Sequence, residues 1–237
     1  METIIITGAA GGIGQATVKA LSTPERKLIC VDLDPDRLAE TVNGLDGPAV
    51  PIVSDLASPD ACADIVAHAG GAVAGLVHLA GTVEYDPVLN DDPGLWDRVI
   101  NSGLRNAYDL AGAIIPTLAP GKRPAKFVFT SSLAFRRGSP EFIAYGASKG
   151  GIAGLVRSLA RRLGPLATVN AVAPGIIETP MTVKLMADHG ERLRAGITMG
   201  RFGQPKDVAD VISFLIGPNS DYMTGQILNV DGGMAFD

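Results

Sequence analysis

Short runs of apolar residues recur along the chain, and stretches of helical periodicity separate them. The apolar runs are Thr3-Ile4-Ile5-Ile6, Leu28-Ile29-Cys30-Val31, Val50-Pro51-Ile52-Val53, Leu76-Val77-His78-Leu79, Phe127-Val128-Phe129, Thr168-Val169-Asn170-Ala171-Val172 and Ile227-Leu228-Asn229-Val230. They do not alternate with polar residues, as a strand with one wet face would. Each reads as a strand buried on both sides. Helices are predicted between them, near 12–22, 35–43, 58–69, 92–118, 145–163 and 205–216. Strands and helices in alternation imply an α/β fold with a parallel sheet covered on both faces. No Ser/Gly-rich linker, shift in composition or internal repeat divides the 237 residues, so a single domain over 1–237 is expected. One segment, from about Ile176 to Gly203, lacks clear periodicity. A stretch of that length without structure in a compact domain is usually functional, and a substrate lid is expected over 178–203.

Composition narrows the classes of function. Hydrophobic residues are 46% of the chain, enough for a substantial core, and the net charge is −5. With no basic run, nucleic-acid binding through a basic patch is not expected. No apolar run reaches the ~18 residues of a membrane span, and no secretory leader is recognisable. A cytosolic protein is the expectation. Cys30 and Cys62 have no metal-ligand spacing, so buried free thiols and no metal are expected.

Chemistry concentrates at two places. Thr7-Gly8-Ala9-Ala10-Gly11-Gly12-Ile13-Gly14 follows the first strand and opens the first helix. Glycines there let the backbone turn tightly and approach a pyrophosphate resting on helix N–H groups. Alone, such a turn is equally a tight strand-to-helix connection. Asp32 ends the second strand, where a carboxylate can accept from both ribose hydroxyls of an adenosine and repel a 2′-phosphate. No Lys or Arg occupies Ala9–Gly12 or follows Asp32 directly, which favours NAD over NADP. Asp32 or Asp34 could instead cap the helix near Pro35, a role better suited to Asp34. Asp55, after the third strand, can accept from an adenine amino group or simply make a turn.

The second place is Ser132 to Lys149. Tyr145 and Lys149 stand one helical turn apart, and Ser132 leaves the strand Phe127-Val128-Phe129. Tyrosine is a poor base at its ordinary pKa of about 10. Positive charge at Lys149 favours the phenolate, and Ser132 can fix the reacting oxygen. Tyr-x-x-x-Lys by itself is common on helix surfaces. Its order after a glycine turn, an acidic strand end and a strand-end serine is harder to obtain by accident.

With these residues, the whole chain resembles the short-chain dehydrogenase/reductase family. The resemblance implies a three-layer, doubly wound parallel sheet (Rossmann fold) of about seven strands. It implies catalysis by Ser132, Tyr145 and Lys149, with Lys149 also holding the nicotinamide ribose. For the cofactor NAD it implies Gly8, Gly11, Gly12, Ile13, Gly14, Asp32, Leu33, Asp55, Leu56, Leu79, Ala80, Gly81, Tyr145, Lys149, Pro174, Gly175, Ile177 and Thr179. A homotetramer or homodimer packed through the helices near 101–118 and 145–163 is implied as well. Two departures stand out: Leu79 replaces the family's asparagine before Ala-Gly, and Gly103 stands where many members carry a helix asparagine that completes a proton relay.

The expected activity is interconversion of a secondary alcohol and a ketone. The alternatives are an NADH-using reductase of 3-oxoacyl chains, and a low-turnover NAD-binding regulator. Substrate contacts are expected from Ala134, Arg136, Phe142 and Met181. Arg136 or Arg137 would suit an anionic group, although solvated loop arginines are the more ordinary reading.

Overall fold

The computed structural model describes residues 1–86, 91–118 and 121–236. Its strands are β1 (Glu2–Thr7), β2 (Arg26–Asp32), β3 (Ala49–Val53), β4 (Gly75–His78), β5 (Ala125–Thr130), β6 (Ala167–Pro174) and β7 (Ile227–Val230). They form one seven-stranded sheet in the order β3-β2-β1-β4-β5-β6-β7, and every pairing is parallel. The expected three-layer Rossmann architecture is therefore what the residues build.

Alternation within each strand explains the layers. In β1, Ile5 faces one side with Ile29, Leu76, Phe127 and Phe129, whereas Ile4 and Ile6 face the other with Leu28, Val77 and Val128. Helices α3 (Pro59–Ala67), α5 (Asn106–Ile114) and α7 (Ile143–Leu163) cover the first side, and α1 (Gly12–Leu21) and α9 (Pro205–Ile216) cover the second. Each fully buried Ile, Leu or Phe contributes roughly 1.5–3 kcal/mol. Pro51 is tolerated because β3 is an edge strand, where a missing N–H breaks no inner ladder. Helix α2 (Pro35–Val42) starts at an Asp34 cap, whose side chain accepts from Arg37 N at 3.0 Å.

Three elements differ from the sequence expectation. The helix expected over 92–118 is interrupted. Helix α4 (Leu95–Ile100) passes into a π-helical turn (Asn101–Arg105) before α5, and a short 3-10 turn (Ile115–Thr117) follows. Gly103 lies inside the π turn, where glycine is a weak helix former. Asn106 secures the break, its Nδ2 donating to Ser102 O at 2.5 Å. Second, the segment without clear periodicity contains helix α8 (Val183–Ala195), none of whose residues is fully buried. Third, α7 begins two residues before Tyr145 and follows a short helix, α6 (Ala134–Arg137).

Strand order reverses between β1 and β4, which run side by side while their crossovers diverge. A crevice at the carboxyl ends of the strands is where α/β sheets bind ligands. The Thr7–Gly14 turn, Asp32, Leu79–Gly81, Ser132 and Pro174 all follow or end strands at that edge.

Candidate active site

The glycine turn is held by its neighbours. Gly8 has φ +65, and a Cβ there would lie 2.9 Å from Leu79 C and Ala80 N, so only glycine fits between β1 and the end of β4. Gly11 N donates to Gly8 O at 3.1 Å. Helix α1 then starts at Gly12 with no side-chain cap and no acidic residue in its first turn. Its first N–H groups have no helical partner, so an anion is favoured there. A Cβ on Gly12 would stand 2.7 Å from Thr179 Cγ2. That contact brings the loop after β6 against the phosphate turn.

That loop is fixed at several points. Leu133 N donates to Pro174 O at 3.0 Å and Gly175 N to Val230 O at 3.0 Å. Ile177 is buried and bridges Gly203. Thr182 Oγ1 donates to Ile177 O, and Thr179 N donates to Thr182 Oγ1 at 3.1 Å.

Asp32 is engaged by main chain: Oδ2 accepts from Ala10 N at 2.8 Å, and Oδ1 from Leu33 N at 2.8 Å and Asp34 N at 3.2 Å. It therefore ties the glycine turn to the end of β2. A carboxylate has about four acceptor positions, so capacity for a ribose hydroxyl remains. Asp34, not Asp32, caps α2. Leu33 and Asp55 are exposed and Leu56 is buried. Leu79 is partly buried against the α1 and α9 side of the sheet.

At the other end of the crevice the three catalytic candidates meet. Tyr145 lies near enough to Ser132 for the serine hydroxyl to favour its phenolate, and Ser132 Oγ accepts from Ala134 N at 3.1 Å. Lys149 Nζ donates to Thr130 O at 3.0 Å and lies 5.5 Å from the centre of the Tyr145 ring. Neighbouring Ser131, also buried, donates to Lys149 O at 2.8 Å and pins α7 to the end of β5.

Electrostatics here differ from the sequence expectation. Burial raises the Tyr145 pKa above its usual value, and the nearby Ser132 hydroxyl only partly opposes it. Burial brings Lys149 down to about 8. Within the protein alone, desolvation outweighs the attraction expected from the lysine.

Behind Lys149 runs a buried polar chain that sequence reasoning missed. Ala80 N donates to Thr7 Oγ1 at 3.3 Å; Thr7 Oγ1 and His78 Nδ1 are 2.8 Å apart; His78 Nε2 is 3.1 Å from Asn106 Oδ1. Because Asn106 Nδ2 is spent on Ser102 O, its Oδ1 accepts, which places the His78 proton on Nε2. Burial, with the Lys149 charge adding, holds His78 at about 3, while the Asn106 bond opposes the shift. His78 is neutral at ordinary pH. A polar residue inside an apolar strand run was the available signal.

Substrate candidates divide. Phe142 packs edge-on against Tyr85, ring centres 5.7 Å apart, and Met181 is exposed. Ala134 lies on the Ser132 turn. Arg136 points elsewhere: its Nε donates to Asn229 Oδ1 at 3.0 Å, an Nη donates to Ile227 O at 3.3 Å, and the guanidinium lies over Phe135. It fastens α6 to β7, which corrects the solvated-loop reading for Arg136, while Arg137, the other candidate for an anionic group, is exposed at the end of α6. The Cys30 and Cys62 thiols are buried and pushed up to about 12 and 11 by burial, with Asp109 adding at Cys62. No group of metal-binding side chains occurs among the described residues, and no helix among them is long and apolar enough to cross a membrane.

A crevice with an uncapped helix start, a turn with no room for a Cβ at Gly8 or Gly12, and a proton-bearing phenol at its far end fits a dinucleotide lying along the strand ends. Comparison with known proteins is consistent in extent. A family model described as Enoyl-(Acyl carrier protein) reductase matches residues 8–235. The 3-oxoacyl-[acyl-carrier-protein] reductase of Thermotoga maritima is 35% identical, over 97% of this chain and 96% of its own. A short-chain dehydrogenase/reductase from Brucella melitensis superposes with a TM-score of 0.92 at 33% identity, covering 100% of this chain and 97% of that one. A 3-oxoacyl-[acyl-carrier protein] reductase with bound NAD, also from Brucella melitensis, gives 0.87 at 33% identity, covering 100% and 92%.

Proposed function

The chain belongs to the short-chain dehydrogenase/reductase family, and on that premise we propose that it interconverts a ketone and a secondary alcohol using NAD(H), with 3-oxoacyl thioesters the favoured ketone class. The observation that carries the reading is the convergence of Tyr145 and Ser132, with Lys149 buried one turn further along α7 and its Nζ 5.5 Å from the centre of the Tyr145 ring.

The dinucleotide, when bound, supplies the hydride. The residues that would hold it are Gly8, Gly11, Gly12, Ile13 and Gly14 at the phosphates, Asp32 and Leu33 at the adenosine ribose, and Asp55 and Leu56 at the adenine. Leu79, Ala80, Gly81, Pro174, Gly175, Ile177, Thr179 and Lys149 would line the nicotinamide half. The raised Tyr145 pKa keeps the phenol protonated at neutral pH. It can then give its proton to a carbonyl oxygen that is becoming an alkoxide. Ser132 donates a hydrogen bond to the same oxygen and fixes its place. Lys149 lies close enough to favour the phenolate left behind. The acid form suits reduction of a ketone better than oxidation of an alcohol.

NAD rather than NADP is supported by Asp32, by the lack of Lys or Arg at Ala9–Gly12 and Leu33, and by the Brucella melitensis reductase that carries NAD. The 3-oxoacyl class is supported by the printed activity of the Thermotoga maritima relative. A lid over 178–203, with Met181 and Phe142 toward the substrate, a cytoplasmic location and a homotetramer or homodimer belong to the same proposal.

The test is reduction of acetoacetyl coenzyme A, the simplest such thioester, with NADH and NADPH in parallel. Turnover with NADH that is lost in Tyr145→Phe supports the reading. NADH binding seen as thermal stabilisation, with no turnover on this or simpler ketones, would favour the low-turnover regulator instead.

A further inference from the structure

Helix α7 carries both Tyr145 and Lys149, yet nothing in its own sequence caps its start. Phe142 precedes it with no side-chain hydrogen bond to offer, at φ −143 and ψ 56. The cap comes from Asp86, in the loop after β4. Asp86 Oδ1 accepts from Ile143 N at 2.7 Å, and Oδ2 from Ala144 N at 2.9 Å. Its own N–H donates to Glu141 O at 2.9 Å. Asp86 is 8% exposed, so a buried carboxylate sits on the first turn of the helix.

Both bonds are charge-assisted and satisfy orphan N–H groups at a helix start. The next residue after Ala144 is Tyr145. A carboxylate with both oxygens engaged leaves the first turn little freedom to rotate or slide, and the Tyr145 hydroxyl must meet Ser132 on a different element. The loop that bears Asp86 is itself anchored: Thr82 Oγ1 lies 2.8 Å from Ser102 Oγ on the π turn, Glu84 pairs with Arg98, and Tyr85 packs on Phe142.

We propose that Asp86 is a positioning residue for Tyr145, a two-point clamp between the β4 loop and α7 that sets the phenol against Ser132. The proposal rests on the reading of Tyr145 as the proton donor. It makes the loop at 82–86 part of the catalytic geometry, although none of its side chains need touch the reacting atoms.

The experiment compares wild type, Asp86→Ala, Asp86→Asn and Tyr145→Phe as full chains. It reads kcat for acetoacetyl coenzyme A, and separately the NADH dissociation constant from nucleotide fluorescence. Asp86→Ala is expected to lower kcat by about ten- to hundredfold, since small misplacements of reacting groups cost this much. NADH affinity should change by less than about twofold, the signature of a loss confined to the transition state. Asp86→Asn keeps one carbonyl acceptor, and its kcat should fall between the two.

An unchanged kcat in Asp86→Ala would overturn the proposal. So would kcat and NADH affinity falling together, which marks general loosening. Should Asp86→Ala fail to fold, Asp86→Asn alone decides by the same two readings. Turnover surviving in Tyr145→Phe would instead remove the proton-donor reading on which the clamp depends. Where wild type does not reduce this thioester, protein carrying 3-fluorotyrosine serves, with the Tyr145 fluorine resonance assigned through Tyr145→Phe. A Tyr145 resonance moved by Asp86→Ala and partly restored in Asp86→Asn supports the clamp; one that stays in place overturns it.

Discussion

Gly103 and Ser148 fit against each other so closely that neither position is independent: a Cβ built on Gly103 would stand 2.5 Å from Ser148 Oγ. Ser148 is buried, and its hydroxyl has no hydrogen-bond partner. The glycine in the π turn is thus more than an absent asparagine, because a side chain there needs the room that the serine hydroxyl takes.

Restoring a side chain at this place is expected to harm the protein. Gly103→Asn should cost roughly 1–3 kcal/mol, the usual penalty of overpacking a tight contact. Ser148→Ala removes an unpartnered hydroxyl, a change expected to be near neutral. Combined, the two should be less destabilising than their sum, with a coupling of about 0.5–3 kcal/mol. Urea unfolding of the four proteins measures this directly; strict additivity would mean that the two residues do not press on each other.

His78 should make the fold sensitive to mild acid. Its native pKa is about 3, against 6.5 when unconstrained. Between those values the unfolded chain binds a proton that the native state refuses. Stability is therefore constant above about pH 6.5 from this group and is lost as pH falls toward 3, by up to about 1.4 kcal/mol per pH unit. Most carboxylates titrate lower, so the interval from pH 6.5 to 5 isolates the histidine. His78→Asn should flatten the pH dependence of the urea midpoint in that interval, whatever its effect at pH 7.

Asp32 and Asp34 are neighbours with separable jobs. Asp34→Ala removes the α2 cap and should cost about 1 kcal/mol, with no change in the preference between NADH and NADPH. Asp32→Ala combined with Leu33→Arg should move the ratio of kcat/KM values toward NADPH by about tenfold or more, an arginine being a good partner for a 2′-phosphate. Because Asp32 also holds Ala10 N, that variant should lose thermal stability too. Cofactor preference shifting in Asp34→Ala instead would reverse the assignment.

Much of this architecture was legible because its causes are local. Strands buried on both faces must be apolar at every position, and the runs at Thr3–Ile6, Leu28–Val31 and Phe127–Phe129 announce themselves. Gly8 and Gly12 follow a strand and open a helix, where a glycine turn is visible from sequence even though the chain they approach, Leu79–Ala80 and Thr179, is distant. What stayed hidden depends on distant partners. The α7 cap comes from Asp86, so the residues just before the helix carry no sign of it. Arg136 is claimed by Asn229 and the edge of β7, which no inspection of the loop around it could show. The direction of the Tyr145 shift turned on how much protein surrounds the ring, a quantity that spacing does not contain. Helix α8 carries a helical spacing at Leu185, Met186 and Leu193, yet none of its residues is fully buried, so the spacing marks a helix lying on the surface rather than one sunk in the core.

That last property bears on how the molecule comes apart. No residue of Val183–Ala195 is fully buried, so the free energy that keeps this helix wound is separate from the free energy that holds the sheet. Thirteen residues alone are barely enough for a stable helix in water. The protein therefore has two strengths rather than one. A thermal melt reports the sheet and its covering helices. Amide exchange across 183–195 would report a much smaller quantity, through openings that leave the strands paired. Substitutions in α8 should alter exchange across 183–195 while the fold beneath registers almost nothing.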